Sequence, residues 1–304
     1  MILLEQMVIF FIIISIGFLC GKKKFFSDEG IEVITFIVVN IANPALIIGA
    51  GLEKSALSLW QIGRTFLFAL AFYLVLIGVA IPVSRLFATD DGEWGLFKSM
   101  LIFSNIGFMG MPILSASYGS EALIYAAIFN FIYDFLIYTY GVRILKGKKN
   151  GSGDSSKEIL QVINAGTVAC VIALIAYVFQ IPMPGFLKTT VGYFGNLTAP
   201  LSMMVIGYSL SKIAFWELFG DKKLILFSLL KQLVIPVAGV LFVKSLISDQ
   251  LLIRVCFVML ATPIGSMVAM FSQDSDNAKL PVKGVALTTI MTVVTIPLLG
   301  VLLK

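Results

Sequence analysis

Apolar residues fill this chain in runs of about 20, long enough for a helix to cross the hydrocarbon core of a bilayer, with short polar connections between the runs. The pattern predicts ten spans, at roughly 3–21, 31–51, 61–87, 96–117, 121–145, 158–180, 190–212, 223–247, 251–272 and 282–303. The longest polar stretch, KGKKNGSGDSSKE from Lys146 to Glu158, divides them five and five. The chain therefore reads as one five-helix repeat over 1–150 and a second over 151–304.

Span 4 departs from the pattern of a lipid-facing helix. Its stretch FSNIGFMGMPILSAS, Phe103 to Ser117, carries Ser104, Asn105, Gly107, Gly110 and Pro112. Proline lacks an N–H and clashes with the preceding turn, so a kink or break is expected near Pro112. Freed backbone groups at membrane depth are tolerable only where protein or a water-filled cavity satisfies them. MLATPIGSMVAM, Met259 to Met270, has the same character in span 9. Interrupted spans at matching positions of two halves mark the binding site of a secondary transporter.

The two halves show further register. NIANPALI in span 2 (Asn40 to Ile47) answers NLTAPLSM in span 7 (Asn196 to Met203), each with an Asn four residues before a Pro. The pairs Pro44/Pro200, Pro82/Pro236 and Pro112/Pro263 lie 156, 154 and 151 residues apart. Basic residues collect in the loops after spans 1, 5, 7 and 9: Lys22, Lys23 and Lys24; Lys146, Lys148, Lys149 and Lys157; Lys212, Lys222 and Lys223; Lys279 and Lys283. The opposite side holds only Lys54, Arg64, Lys188, Lys244, Arg254 and Lys304. The richer side is expected to be cytoplasmic. Both termini then face outward, and the two halves enter the membrane in opposite senses as an inverted repeat.

Composition sharpens the class. Of 304 residues 59% are hydrophobic and 13% charged, with mean hydropathy +1.00. Soluble domains are about 25% charged, so an all-α polytopic membrane protein is expected. The net charge of +5 follows from the basic loops and calls for no nucleic acid. The chain has no histidine, which removes histidine catalysis, metal ligation and proton relays. Cys20, Cys170 and Cys256 are dispersed without metal-ligand spacing, and no cofactor is expected. The opening MILLEQ has an acid and no basic region before its apolar run, so it reads as the first span rather than a signal peptide. No GxxxxGK[ST] loop occurs to drive transport by ATP. An intramembrane aspartyl enzyme needs two aspartates, but Asp134 lies in a span and Asp221 in a loop.

The candidate site follows from the interruptions. Half-helix N-termini carry partial positive charge and suit an anion. Asn105 brings a donor and an acceptor beside the break in span 4, with Gly107 and Pro112 near it. Thr262 and Pro263 stand at the break in span 9, and Ser104 and Ser266 add hydroxyls. These small polar residues also suit plain helix packing. Asn40, Asn43 and Asn196 stand beside prolines, either facing the site or capping local breaks. Asp134 lies midway along span 5, with Asn130 on the same helical face four residues earlier. An intramembrane acid is by default functional. Asp134 is thus a candidate for ion coupling, with Lys231 of span 8 as a partner or as the other half of a structural ion pair. A snorkelling Lys231 is the remaining reading.

At NIANPALI, SNIGFMGMPILSASYG, TAPLSMMVIGYSL and ATPIGSMVAM the chain resembles the auxin efflux carrier family, which includes plant auxin exporters and bacterial malate or malonate permeases. The resemblance implies a 5+5 inverted repeat with scaffold spans 1, 2, 6 and 7. Spans 3–5 and 8–10 would form a transport domain in which spans 4 and 9 cross at Pro112 and Pro263. It further implies that Asn105 touches the substrate carboxylate and that the protein is a homodimer in membrane lipid. The chain departs from the plant carriers at Ile106, where they have Thr, in lacking their long cytoplasmic loop, and in the charge at Asp134. The reading is a secondary carrier of a small organic anion working by an elevator movement. A sodium/proton antiporter-like cation carrier and a channel or sensor are the alternatives.

Overall fold

The structure is a computed structural model that describes residues 2–53, 57–146, 162–214, 218, 220–273, 275 and 277–300. Lys148, Lys149 and Lys157 of the central basic loop, and Lys54 and Lys304, lie outside the described residues. Helices account for most of the described backbone. In chain order they are α1 (Ile2–Lys22), α2 (Asp28–Ile37), α3 (Asn43–Gly51), α4 (Leu59–Arg85), α5 (Asp91–Ile102), α6 (Met111–Leu136) and α7 (Val142–Lys146). The second half adds α8 (Ala165–Phe179), α9 (Gly185–Asn196), α10 (Thr198–Ser211), α11 (Lys222–Leu229), α12 (Ile235–Leu246), α13 (Gln250–Ala261), α14 (Ser266–Phe271) and α15 (Lys279–Gly300).

Polar loops hand over to helices through local capping chemistry. The Ser27 hydroxyl accepts from Gly30 N–H, Asp90 from Glu93 N–H, Asn164 from Gly166 and Thr167 N–H, and Asp249 from Leu251 and Leu252 N–H. Ser58 and Gln61 form a reciprocal capping box at the start of α4. Each such cap satisfies donors that the first turn leaves open.

Six helical stretches among the described residues are long and apolar enough by themselves to cross a membrane: Leu3–Lys22, Asp28–Gly51, Leu59–Arg85, Ile106–Leu145, Lys222–Leu246 and Lys279–Gly300. The stretches expected as spans 4, 6, 7 and 9 fall wholly or partly on shorter helices. Large apolar side chains such as Leu4, Val8 and Ile12 of α1 and Leu67 and Leu74 of α4 are exposed, as a lipid-facing surface requires. The chain is an all-α, multi-pass membrane protein.

The prolines act differently from expectation. Pro44, Pro112 and Pro236 each occupy the second residue of α3, α6 and α12, directly after a π-turn at Val38–Ala42, Ile106–Gly110 and Leu230–Val234. The wider i→i+5 turn gives the ring room and absorbs its missing donor, so the helix continues through it. Pro112 is therefore not the breakpoint of span 4. The break lies upstream, where α5 ends at Ile102 and the backbone becomes extended at Phe103. In α6 the chain turns sharply at Gly119 (φ +77°, ψ −168°), a conformation open essentially to glycine alone.

α1 packs lengthwise on α10, α3 on α8 and α9, α4 on α5 and α6, and α12 on α13. The α1–α10 contact brings backbone against backbone. A Cβ at Gly207 would sit 2.1 Å from the Ile14 carbonyl oxygen, and one at Gly17 would sit 2.4 Å from that of Met204. Gly207→Val is therefore expected to destabilise the protein by at least about 1–3 kcal/mol. Gly63→Ala, in α4 with nothing near its Cβ, should be neutral or stabilising by up to about 1 kcal/mol. Thermal melts of the two purified variants in one detergent check this, and equal melting temperatures would contradict the close helix contact.

Candidate functional site

The two interruptions meet. After α5 the chain is extended at Phe103 and runs antiparallel to the segment that follows α13, with Ser104 opposite Ile264 and a tight turn at Asn105. Asn105 N–H donates to the Pro263 carbonyl at 2.7 Å, and Gly265 N–H donates to the Phe103 carbonyl at 2.8 Å. Ile264 N–H donates to the Thr288 hydroxyl of α15 at 3.1 Å, and that hydroxyl donates onward to the Gly284 carbonyl at 2.7 Å. Proline suits position 263 because it brings no N–H to satisfy, while its carbonyl still accepts.

Lys231 serves the same junction from the π-turn between α11 and α12. Its Nζ donates to Ser104 Oγ at 2.8 Å, to the Leu260 carbonyl at 2.9 Å and to the Thr262 carbonyl at 3.3 Å. The side chain is 1% exposed. It neither pairs with Asp134 nor snorkels, contrary to both structural alternatives read from the sequence.

Beyond the crossing the chain re-enters helix. The Asn105 carbonyl accepts from Met109 and Gly110 N–H at 3.3 and 3.1 Å, and its side-chain oxygen accepts from Phe108 N–H at 3.4 Å. These residues open on a cavity of about 860 Å³. On one side it is walled by α2, the π-turn after it and α10; on the other by the crossing, α6, α14 and α15. Asp28 and Lys212, ion-paired at 2.9 Å, also line it.

Seven of the expected residues converge on this cavity: Asn40, Asn43, Asn105, Gly107, Asn130, Asp134 and Ser266. Asn43 lies opposite Gly107, and its buried Oδ1 has no hydrogen-bond partner. Asp134 Oδ2 accepts from Asn130 Nδ2 and from the Thr167 hydroxyl, each at 3.1 Å. The Asn164 side chain approaches the same carboxyl group. Among the described residues Asp134 forms no ion pair, so its hydrogen-bond donors are neutral.

The other expected residues stand back from the cavity. Thr262, Pro263 and Lys231 build the crossing behind it, and Pro112 is buried within α6. Asn40, one of the seven at the cavity, also donates to the Phe36 carbonyl. Asn196 instead lines a smaller pocket of about 180 Å³, together with Glu53 and Lys188. Sequence reasoning passed over Asn164 and Thr167, whose only visible signal is an Asn ahead of a run of small residues at the start of α8.

Residues 2–164, more than half of the chain, match the model of a family described as membrane transport protein. The chain belongs to that family. The match agrees with the resemblance carried by the span 2 and span 4 motifs. Residues 198–304 match a second model, that of the sodium bile acid symporter family. An uncharacterized transporter of Methanothermobacter thermautotrophicus is 23% identical over 303 residues, covering 96% of this chain and 95% of the relative. An uncharacterized transporter of Methanocaldococcus jannaschii is 22% identical over 233 residues, covering 73% and 75%. This membrane transport protein thus aligns along nearly its whole length with another transporter.

The donors around Asp134 set an energetic expectation. Thr167→Val keeps the shape and removes one hydroxyl, at a cost of about 1–3 kcal/mol to a buried carboxyl group. In an Asp134→Ala background the same change should cost much less. A double-mutant cycle of melting temperatures measures the difference, and strict additivity would show that the contact carries no energy.

Proposed function

We propose that this membrane transport protein is a secondary carrier of a small organic anion, a carboxylate of the malate, malonate or auxin-like kind. We read its fold as a 5+5 inverted repeat that moves as an elevator. The observation that carries the reading is the cavity at the crossing. Its volume suits a small ligand. Its depth holds carboxamides and the start of the helix that follows Asn105. A carboxylate leaving water needs several donors. The carboxamide N–H groups of Asn105 and Asn43 supply them without a fixed positive charge that would trap the ligand. Asn43, with its unpartnered oxygen, would take a donor from the ligand, such as a hydroxyl or a protonated acid.

The walls of the cavity support the elevator. α2 and α10 form one wall, while the crossing, α6, α14 and α15 form the other. The crossing is bonded within itself and to Lys231 and Thr288. It would therefore travel as one body past the α2–α10 wall. By the basic-loop rule the mouth at Asp28 and Lys212 faces the cytoplasm, so the structure is read as inward-facing, with both termini outside. The small pocket at Glu53 and Lys188 then marks the closed outer seam.

Exchange of labelled carboxylates in proteoliposomes tests the reading, with malate, malonate, lactate and indole acetate as the panel. Saturable exchange of one class is expected. Asn105→Ala should reduce it by roughly 10-fold or more, the worth of a hydrogen bond to a charged group. Flux that does not saturate would point to a channel. No exchange of any carboxylate, together with proton-driven sodium movement abolished in Asp134→Asn, would replace the anion by a cation.

A further inference from the structure

The second family model is named for sodium symport, and interrupted helices commonly hold sodium through carbonyl oxygens at the ends of their half-helices. In this chain the comparable oxygens are those of Leu260 and Thr262 at the end of α13, joined by Ser104 Oγ from the other strand of the crossing. They do converge on one point, but that point is the Lys231 ammonium.

Number and direction both fit a cation. A lysine ammonium has three donors, and three acceptors stand at 2.8, 2.9 and 3.3 Å from it. The end of a helix carries partial negative charge, which favours a cation there. Two of the acceptors are carbonyls at that end of α13. A sodium ion placed among the same oxygens would lie against the ammonium, and two unit charges 4 Å apart repel by about 4 kcal/mol even at an effective dielectric constant of 20. The residues therefore do not fit sodium at this position.

We propose that Lys231 is a tethered cation filling the carbonyl site where an interrupted-helix carrier would bind sodium, so that this crossing assembles without sodium. The inference stands apart from the choice of substrate. It makes Lys231 a positioning residue that fixes the two broken ends, and not a residue that touches cargo.

Thermal melting of the purified full-length protein in equal concentrations of NaCl, KCl and choline chloride tests it without any substrate. Wild type should melt at the same temperature in all three. Lys231→Met should melt several degrees lower in choline chloride and recover saturably as sodium replaces choline, because the three acceptors are then free. A saturable rise of the wild-type melting temperature with sodium would overturn the proposal. So would a Lys231→Met protein as stable as wild type, or one whose loss sodium does not restore. Should that variant fail to fold, Ser104→Ala decides beside wild type. It removes one acceptor and keeps the ammonium, so a sodium response in it counts against the proposal and indifference supports it.

Discussion

Every backbone group freed inside a bilayer must find its partner within the protein, since an unpaired one costs several kcal/mol. Breaking a span therefore carries a condition, and this chain meets it by breaking two spans and pairing the breaks. Asn105 and Gly265 donate, Pro263 and Phe103 accept, Thr288 takes the Ile264 donor, and Lys231 takes the carbonyls at the end of α13. Once this junction exists, much else is constrained. The π-turn of Leu230–Val234 must bring Lys231 to it, α15 must bring Thr288, and α5 and α13 must end together. Elements distant in sequence are tied into one body by hydrogen bonds at a single point.

The cavity is a consequence of the same junction. Extended backbone occupies less width than helix, and the side chains beside it are small or polar: Ser104, Asn105, Gly107, Gly265, Ser266. Space opens in front of them, and α2 and α10 close its far side. The π-turn at Ile106–Gly110 belongs to this arrangement. It follows directly on Asn105 and allows helix to resume through Pro112. The residues that build the crossing and those that face the cavity are thus neighbours along the chain.

Much of this was legible in the sequence because hydrophobic run length and polar interruptions are local signals. The two interruptions showed as Ser-Asn-Ile-Gly and Thr-Pro-Ile-Gly in apolar surroundings, and Asn43, Asn105, Asn130 and Asp134 showed as costly polar groups at depth. Where the break falls was not legible. Proline marks a tendency, and a π-turn ahead of Pro112 cancels it, so the helix yields at Phe103 instead. Nor was the partner of Lys231. Depth in a span says which residues share a level of the membrane and nothing of azimuth, so Asp134 and Lys231 looked like a pair while the fold turns them to opposite sides of the crossing. Asn164 and Thr167 were hidden for a related reason: they cap or begin a helix, and their approach to Asp134 exists only once α8 packs on α6.

Lys231 and Asp134, both buried and ionisable, consequently have different physical fates. Lys231 is saturated by fixed acceptors behind the crossing, and loss of its charge would leave two donors for three acceptors. Asp134 borders the cavity, and its donors are neutral side chains that can serve either a carboxylate or a carboxylic acid. If the cavity takes an anion, that anion and an ionised Asp134 share a poorly screened space, and at 4 Å with an effective dielectric constant of 20 their repulsion is about 4 kcal/mol. That figure equals about a thousandfold in affinity. Neutral carboxamides supply attraction of comparable size and cannot also absorb the repulsion. An anion bound there would therefore favour a proton or a cation at Asp134, which makes this carboxyl group the place to look for ion coupling.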